Sequence, residues 1–386
     1  MLAGLTAVGP LSIDMYLPAF PTLGKAFASP ASEVQLTLTA VMIGLAVGQA
    51  FAGPLSDALG RRRPLIVGLV AYVVASLLCA LTPSIYVLIG ARLLQGLAGA
   101  VGLVIARAVV RDLFDGDDVA RFFSWLMLVM GAAPILAPTL GSAILRFSSW
   151  RAVFVALAAY GALILIATVI LLPETLPVER RRSGEVRDVL RTFGHLLSNR
   201  RFVGYTLAGT FVTGSMFAYI AGSPFVLQDM YGVSPQVFGL IFGANAAGII
   251  AASQLNRRLL DRFDLRSLLV VGLVVSAAGG FALLVVIAVG GIGLVGLLPC
   301  LFVVVSMVGI VNPNATALAL ADHPEVAGSA SGVLGVIQFI LGAAIAPLVG
   351  IAGTATALPL GLAIAACSAA GLISLAMTRS PRTAFA

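Results

Sequence analysis

Apolar positions in this chain neither alternate nor recur every three or four residues; they run on in blocks. Twelve such blocks can be read, at 2–22, 35–54, 64–82, 84–106, 122–144, 151–172, 202–226, 236–255, 267–289, 291–317, 328–350 and 355–377, each ended by charge or by a cluster of Pro and Gly. A block of about 20 apolar residues has the length of a helix crossing the hydrocarbon core of a bilayer, and only helices or closed barrels satisfy their backbone there. The pattern predicts an all-α membrane protein of twelve transmembrane helices. The breaks are short except at 173–201, which begins PETLPVERRRSGEVRDVLR and parts the chain into a six-helix bundle at 1–172, a cytoplasmic linker at 173–201 and a second six-helix bundle at 202–386.

Composition excludes the soluble alternative. The chain is 60% hydrophobic and 10% charged, with a mean hydropathy of +1.08, against about 45–50% apolar and about 25% charged in soluble domains. A net charge of +7 would fit a nucleic-acid partner only if the basic residues formed a patch. They lie instead in loops: 19 of the 23 Lys and Arg fall at 61–63, 107–121, 180–201, 257–266 and in the tail after 378. Since cytoplasmic loops retain positive charge, both termini are expected in the cytoplasm, and no nucleic acid is expected. Lys25, Arg146 and Arg151 are exceptions, and Arg92 lies within a block. Cys79, Cys300 and Cys367 sit in apolar runs without the spacing of a disulfide framework or metal site. His195 and His323 stand in predicted loops with no nucleophile or paired carboxylates beside them, and there is no GxxxxGK[ST] loop for ATP. Neither an enzyme nor a metal or other cofactor is expected.

Two ionisable residues lie deep in predicted helices, Asp14 in span 1 and Arg92 in span 4. Each costs about 2.5–3.5 kcal/mol at a helix centre on insertion scales, so each is kept where a bundle interior or a wet cavity receives it. Asp14 can take up and release a proton while Arg92 supplies a fixed charge across a polar cavity. A change in their separation or hydration then changes how tightly Asp14 holds its proton. Pro10 and Pro18 flank Asp14 and loosen the helix around it. The segment GPLSDALGRRRPL at 53–65 is a second constellation. Gly53 and Gly60 are expected to form a tight turn, and Asp57 to meet an arginine or a helix N-terminus, with Arg61 to Arg63 holding the loop in the cytoplasm. Candidates for an amphipathic pocket wall are Tyr16, Gln49, Phe217, Tyr219, Asn245, Asn312, Asn314 and Gln338, with Asp14 and Arg92 as charged members, and Pro313 is expected to bend span 10.

The segment at 53–65 resembles the loop 2–3 signature of the major facilitator superfamily, with Gly53, Asp57, Gly60, Arg61 and Arg62 matching. Span 4, LIGARLLQGLAGA, is similar to the superfamily's arginine motif through Arg92, Gln95 and Gly96. SIDMYLPAFP in span 1 resembles twelve-span drug-proton antiporters, and with RAVVRD at 107–112 it looks like the Bcr/CflA subfamily, which includes bicyclomycin and phenicol exporters. The antiporter motif GPxxGG of span 5 is matched only in part by APTLGS, where Pro138 and Gly141 stand but Ala137 and Ser142 replace glycines. The chain begins directly with span 1, where such proteins often carry a short polar stretch, which leaves room for a start upstream. The resemblance implies a major facilitator fold of two six-helix halves in the bacterial inner membrane, exporting small drugs in exchange for protons and working as a monomer. It implies proton coupling and drug recognition at Asp14 and Arg92, and gating at Gly53, Asp57, Gly60, Arg61, Pro138 and Gly141. A metabolite such as a sugar or amino-acid derivative is the alternative cargo.

Overall fold

The computed structural model describes residues 1–114, 117–181, 194, 196–290, 292–321, 327–351 and 356–378. His195, His323, residues 182–193 of the predicted linker and the two tail arginines lie outside the described residues. No strand occurs among the described residues.

Among the described residues eleven helices are long and apolar enough to cross a membrane. The first predicted span is not among them because it is broken: a helix Leu2–Asp14, a 3-10 turn Leu17–Ala19 and a short helix Phe20–Phe27 follow one another. Pro18 and Pro21 lack the amide hydrogens that would continue the ladder, so the interruption falls directly after Asp14. Span 2 is Ala31–Leu59, span 3 Arg62–Leu81, span 4 Ile85–Leu113, span 5 Asp117–Phe147 and span 6 Trp150–Leu171. Span 7 joins a helix Arg200–Pro224 to a π-helical turn Phe225–Met230. Spans 8 and 9 are Pro235–Leu259 and Leu265–Val289. Span 10 comprises Gly293–Ser306 and Val308–Leu320, interrupted at Met307, six residues before Pro313. Spans 11 and 12 are Ala327–Val349 and Leu358–Ser374, the latter ending in a 3-10 turn.

Two boundaries differ from the apolar blocks in ways that matter. Span 2 continues to Leu59, so Gly53 lies inside a helix and is not part of a turn; the turn is made by Gly60 alone, at φ +88°. Span 4 continues to Leu113, which turns Arg107 and Arg111 from loop residues into helical ones. Helices outlast apolar blocks here because polar residues at their ends meet water or partners instead of lipid.

Within the first half spans 2 and 4, 3 and 6, and 1 and 5 pack together, and in the second half spans 7 and 12, 9 and 12, and 8 and 10. Across the halves span 2 packs on span 11 and span 5 on span 8. Adding six to each span number exchanges these two pairs, the relation expected of parallel repeats about an axis along the membrane normal. Small residues permit the approach: a β-carbon on Gly44 or Gly96 would fall on backbone of the facing helix, span 4 or span 2 respectively. Spans 3, 6, 9 and 12 form the periphery and present large apolar side chains outward, among them Val67, Leu163, Val271 and Ile373, the surface that lipid covers.

Candidate functional site

A cavity of about 760 Å³ lies between the halves. Its wall draws on spans 1, 2, 4, 5, 7, 8, 10 and 11 and takes nothing from the peripheral four. Most of the wall is apolar, with Ile13, Leu103, Met130, Phe217, Phe242 and Phe339 prominent, and its polar side chains are few: Asp14, Gln49, Arg107, Arg111, Tyr219, Asn245 and Gln338. Asn245 Nδ2 donates to the Tyr219 hydroxyl at 2.9 Å, which fixes two polar groups of the deep wall. Asp14 is 4% exposed, and its Oδ1 is buried without a hydrogen-bond partner. An acid of this kind, with only a cavity before it, is a group whose charge state a change of hydration can switch.

The end of the molecule away from the arginine-rich loops is closed. Gln35 Nε2 donates to the Ala221 carbonyl at 2.9 Å, Thr39 Oγ1 to Ala343 at 3.0 Å and Gln236 Nε2 to Ser142 at 3.3 Å, each bond crossing between the halves. Phe20 packs on Phe225 with ring centroids 5.7 Å apart, also across the halves. At the opposite, basic end the wall reaches Arg111, which is exposed. The cavity therefore opens toward the arginine-rich end.

Of the candidates read from the sequence, Asp14, Gln49, Phe217, Tyr219, Asn245 and Gln338 line this cavity, whereas Tyr16, Arg92 and Asn312 do not. Arg92 is fully buried within the first half, and among the described residues it has no ion pair, with Asp14 or any other acid. Arg92 takes no part in the wall of the cavity that Asp14 lines. Arg92 instead donates to the Ser12 carbonyl at 2.7 Å and to Gln95, and its guanidinium lies 4.0 Å over the Tyr16 ring. Ser12 is two residues from the end of the first helix, whose last carbonyls have no intrahelical donors; Arg92 supplies one, as basic side chains do at helix C-termini. Arg92 thus holds the broken end that carries Asp14. Asn312 exchanges hydrogen bonds with Thr213, and Asn314 donates to Asn256 at 2.7 Å, so both are engaged between helices. Gly141 lies against the same break, where a β-carbon would fall on the Met15 carbonyl oxygen.

The 53–65 segment does meet an arginine partnership. Arg61 pairs with Asp57, and its Nε lies 2.8 Å from Asp112 Oδ2 at the end of span 4. The backbone amides of Arg61, Arg62 and Leu176 all donate to Glu174, after span 6. Burial acts to raise the Glu174 carboxyl, but these amides, with Arg181 nearby, outweigh it and hold it below the usual carboxylate range. Every partner belongs to the first half or to the stretch directly after span 6, so as it stands this network ties spans 2, 3, 4 and 6 together and does not bridge the halves. Gly60 is required in it, both by its φ and because a β-carbon would lie 2.5 Å from Glu174 Oε2.

Sequence reasoning missed Arg107, Arg111, Met130, Phe242 and Phe339 in the wall and Asp112 and Glu174 in the network. Arg107 and Arg111 were legible in principle: with Leu103 they recur every four residues, which keeps them on the face of span 4 that lines the cavity. Among the described residues no three His, Cys, Asp or Glu side chains converge as a metal site would need.

A bundle of two halves of like packing, with an apolar cavity between them closed at one end and open at the other, is the architecture of a membrane transporter. The Major Facilitator Superfamily model matches residues 2–347, and the chain belongs to that superfamily. It is 42% identical over 363 residues to the uncharacterized MFS-type transporter YdgK of Bacillus subtilis, covering 94% of this chain and 90% of that one. It is 31% identical to a bicyclomycin resistance protein homolog of Haemophilus influenzae, over 94% of this chain and 91% of the relative. In fold it resembles a bacterial homologue of the human lysosomal transporter Spinster, with a TM-score of 0.75 at 15% identity, covering 98% of this chain and 94% of the other.

Proposed function

We propose that this protein exports small amphipathic drugs, of the phenicol or bicyclomycin kind, across the bacterial cytoplasmic membrane in exchange for protons. The observation that carries the proposal is the lone acid at the closed end of a largely apolar cavity: Asp14 has no ion-pair partner within 4.0 Å, and its Oδ1 is orphaned. The relative named for bicyclomycin resistance supports the cargo class. With the basic end placed in the cytoplasm by the distribution of arginine, the cavity here faces inward. Drug enters from the cytoplasm or inner leaflet and settles against Phe217, Phe242 and Phe339. Rocking of the halves opens the far end, a proton taken up by Asp14 favours drug release, and return to the inward-open state frees the proton.

The test is drug susceptibility in an efflux-deficient bacterium expressing the protein, with and without a protonophore. Protection that needs the proton gradient, and is lost in Asp14→Asn while the variant still reaches the membrane, is the expected result. Undiminished export by Asp14→Asn removes that residue from the mechanism. Absence of protection by wild-type protein present in the membrane moves the assignment to metabolite transport.

A further inference from the structure

The cavity holds one carboxyl and two guanidinium groups, and the arginines have no acid to answer them. Arg107 belongs to the wall, and the only hydrogen bond it makes among the described residues runs from Nη2 to the Met130 sulfur at 3.7 Å. Its Nε is buried with no partner. Both ion pairs among the described residues are made by Arg61, so no described carboxylate pairs with Arg107 or Arg111 within 4.0 Å. A guanidinium half-buried against apolar wall, with its Nε orphaned and a thioether as its neighbour, is left under-satisfied unless something else receives it. Retention of topology accounts for Arg111, which is exposed at the mouth. It does not account for Arg107, whose Nε is shut away from water.

The register of spans 1 and 4 shows how far this cation lies from the deep acid. Leu5 lies beside Gly102, Val8 beside Gly99 and Ser12 beside Arg92, so the two helices run antiparallel with Asp14 opposite residues 90–93. Arg107 is then about 14 residues, or about 21 Å of helix, closer to the mouth. Side chains lean toward the N-terminus of their own helix, which here tips both groups toward each other and leaves about 15 Å between the charged ends. Gln49 stands between them on span 2, with Met130 and Phe339 also in the wall. That interval suits one elongated drug-sized molecule with an apolar body and a polar end.

We propose that Arg107, backed by Arg111 nearer the mouth, receives an anionic or acceptor-rich group of the exported molecule, such as a carboxylate or a sulfonamide anion. This deepens the export reading above and rests on it: the cargo class is amphipathic acids and strong acceptors in preference to lipophilic cations. Arginine suits such groups because its planar fork donates two parallel hydrogen bonds to them.

The experiment measures equilibrium binding to the purified full-length protein in nanodiscs, with sulfathiazole as the anionic probe and tetraphenylphosphonium as the cationic one. Wild-type protein, Arg107→Gln and Arg107→Lys are compared, each checked by its melting temperature. Expected is tighter binding of sulfathiazole by the wild type. In Arg107→Gln the ratio of the sulfathiazole Kd to the tetraphenylphosphonium Kd should rise by about 10–100-fold, the range of one charge-assisted hydrogen bond, with only part of the loss recovered in Arg107→Lys, which restores the charge but not the fork. An equal change for both probes, no change for either, or a wild-type preference for the cation overturns the assignment of Arg107. If the wild type shows any of these yet still protects cells against drugs, this inference falls and export stands. If it binds neither probe and protects against no drug, both fall.

Discussion

Replacing Asp112 by asparagine is expected to weaken the basic end of the first half more than the same change at Asp57, although Asp57 is the acid that the loop spacing brings forward. Both acids contact Arg61, whose side chain is 9% exposed, but the side chain of Asp112 is 18% exposed and that of Asp57 50%. A half-exposed pair is screened and is worth about 0.2–1 kcal/mol. Removing one charge from a largely buried pair costs up to about 3–5 kcal/mol. Asp112 retains some exposure and asparagine keeps its shape, so about 1.5–3 kcal/mol, the worth of a hydrogen bond to a charged group, is the appropriate figure. Asp112 Oδ2 also accepts from Thr175 at 3.2 Å, so the change loosens the stretch after span 6 as well. At about 2–4 °C per kcal/mol for a body of this half's size, thermal unfolding of the purified protein should fall by about 3–12 °C for Asp112→Asn and by less than about 4 °C for Asp57→Asn. In 1 M salt, where the Debye length is about 3 Å, the smaller effect should shrink while the larger persists. Equal losses, or a larger loss at Asp57, would refute the ranking by burial.

Glu174 gives a pH dependence with a definite sign. A carboxyl held below its unfolded value contributes stability that is complete above about pH 4.3 and is lost as the pH falls through the lower folded value. The difference in melting temperature between wild type and Glu174→Gln should be constant from pH 7 to 5 and shrink below about pH 4; a difference that grows on acidification contradicts the assignment. Gly141→Ala should impair drug protection far more than Gly53→Ala at equal membrane levels, because the first β-carbon falls on the Met15 carbonyl and the second meets only Val104, at 3.9 Å. Overpacking of the first kind typically costs about 1–3 kcal/mol, and comparable protection by the two variants would show that the break in span 1 tolerates displacement.

The legible parts of this protein were those written in runs and in rare residue types. Blocks of apolar residues located the spans, and the rarity of acids in them brought out Asp14, because a charge in hydrocarbon is costly wherever it stands. Neither signal carries the ends of helices. Span 4 reads as finished at Ala106 because polarity rises there, yet the helix runs on to Leu113. That extension puts Arg107 into a wall where the sequence shows only a basic loop. Arg92 was recognised as out of place, but its role as a cap on a broken neighbour depends on a break the apolar block conceals. Glu174 and Asp112 lie far from Arg61 along the chain and meet it only through the packing of spans 3, 4 and 6. Phe242 and Phe339 were lost among 20 phenylalanines, whose orientation no pattern of single residues records.

The two halves share a fold but divide the work unequally. Both ion pairs among the described residues are in the first half, as are the three ionisable groups of the cavity, on spans 1 and 4. In the second half spans 8 and 10 are joined by a neutral bond, from Asn314 to Asn256 at 2.7 Å. Asp264, in the loop corresponding to that of Arg61, is spent on capping span 9 through the Ser267 amide at 2.9 Å. On the proposed export reading, proton and cargo charge act on the first half, and the second serves as an uncharged wall of Tyr219, Asn245, Gln338 and aromatic rings. The polar part of what resists their separation at the closed end is modest. Its three hydrogen bonds across the halves each end on a backbone carbonyl, and at about 0.5–1.5 kcal/mol apiece they amount to about 1.5–4.5 kcal/mol. A swing from 1:99 to 99:1 between two states takes about 5.5 kcal/mol of differential binding. The polar part of the seal thus lies within reach of one proton and one bound molecule, which is the scale on which exchange has to work if neither is to lock the protein in a single state.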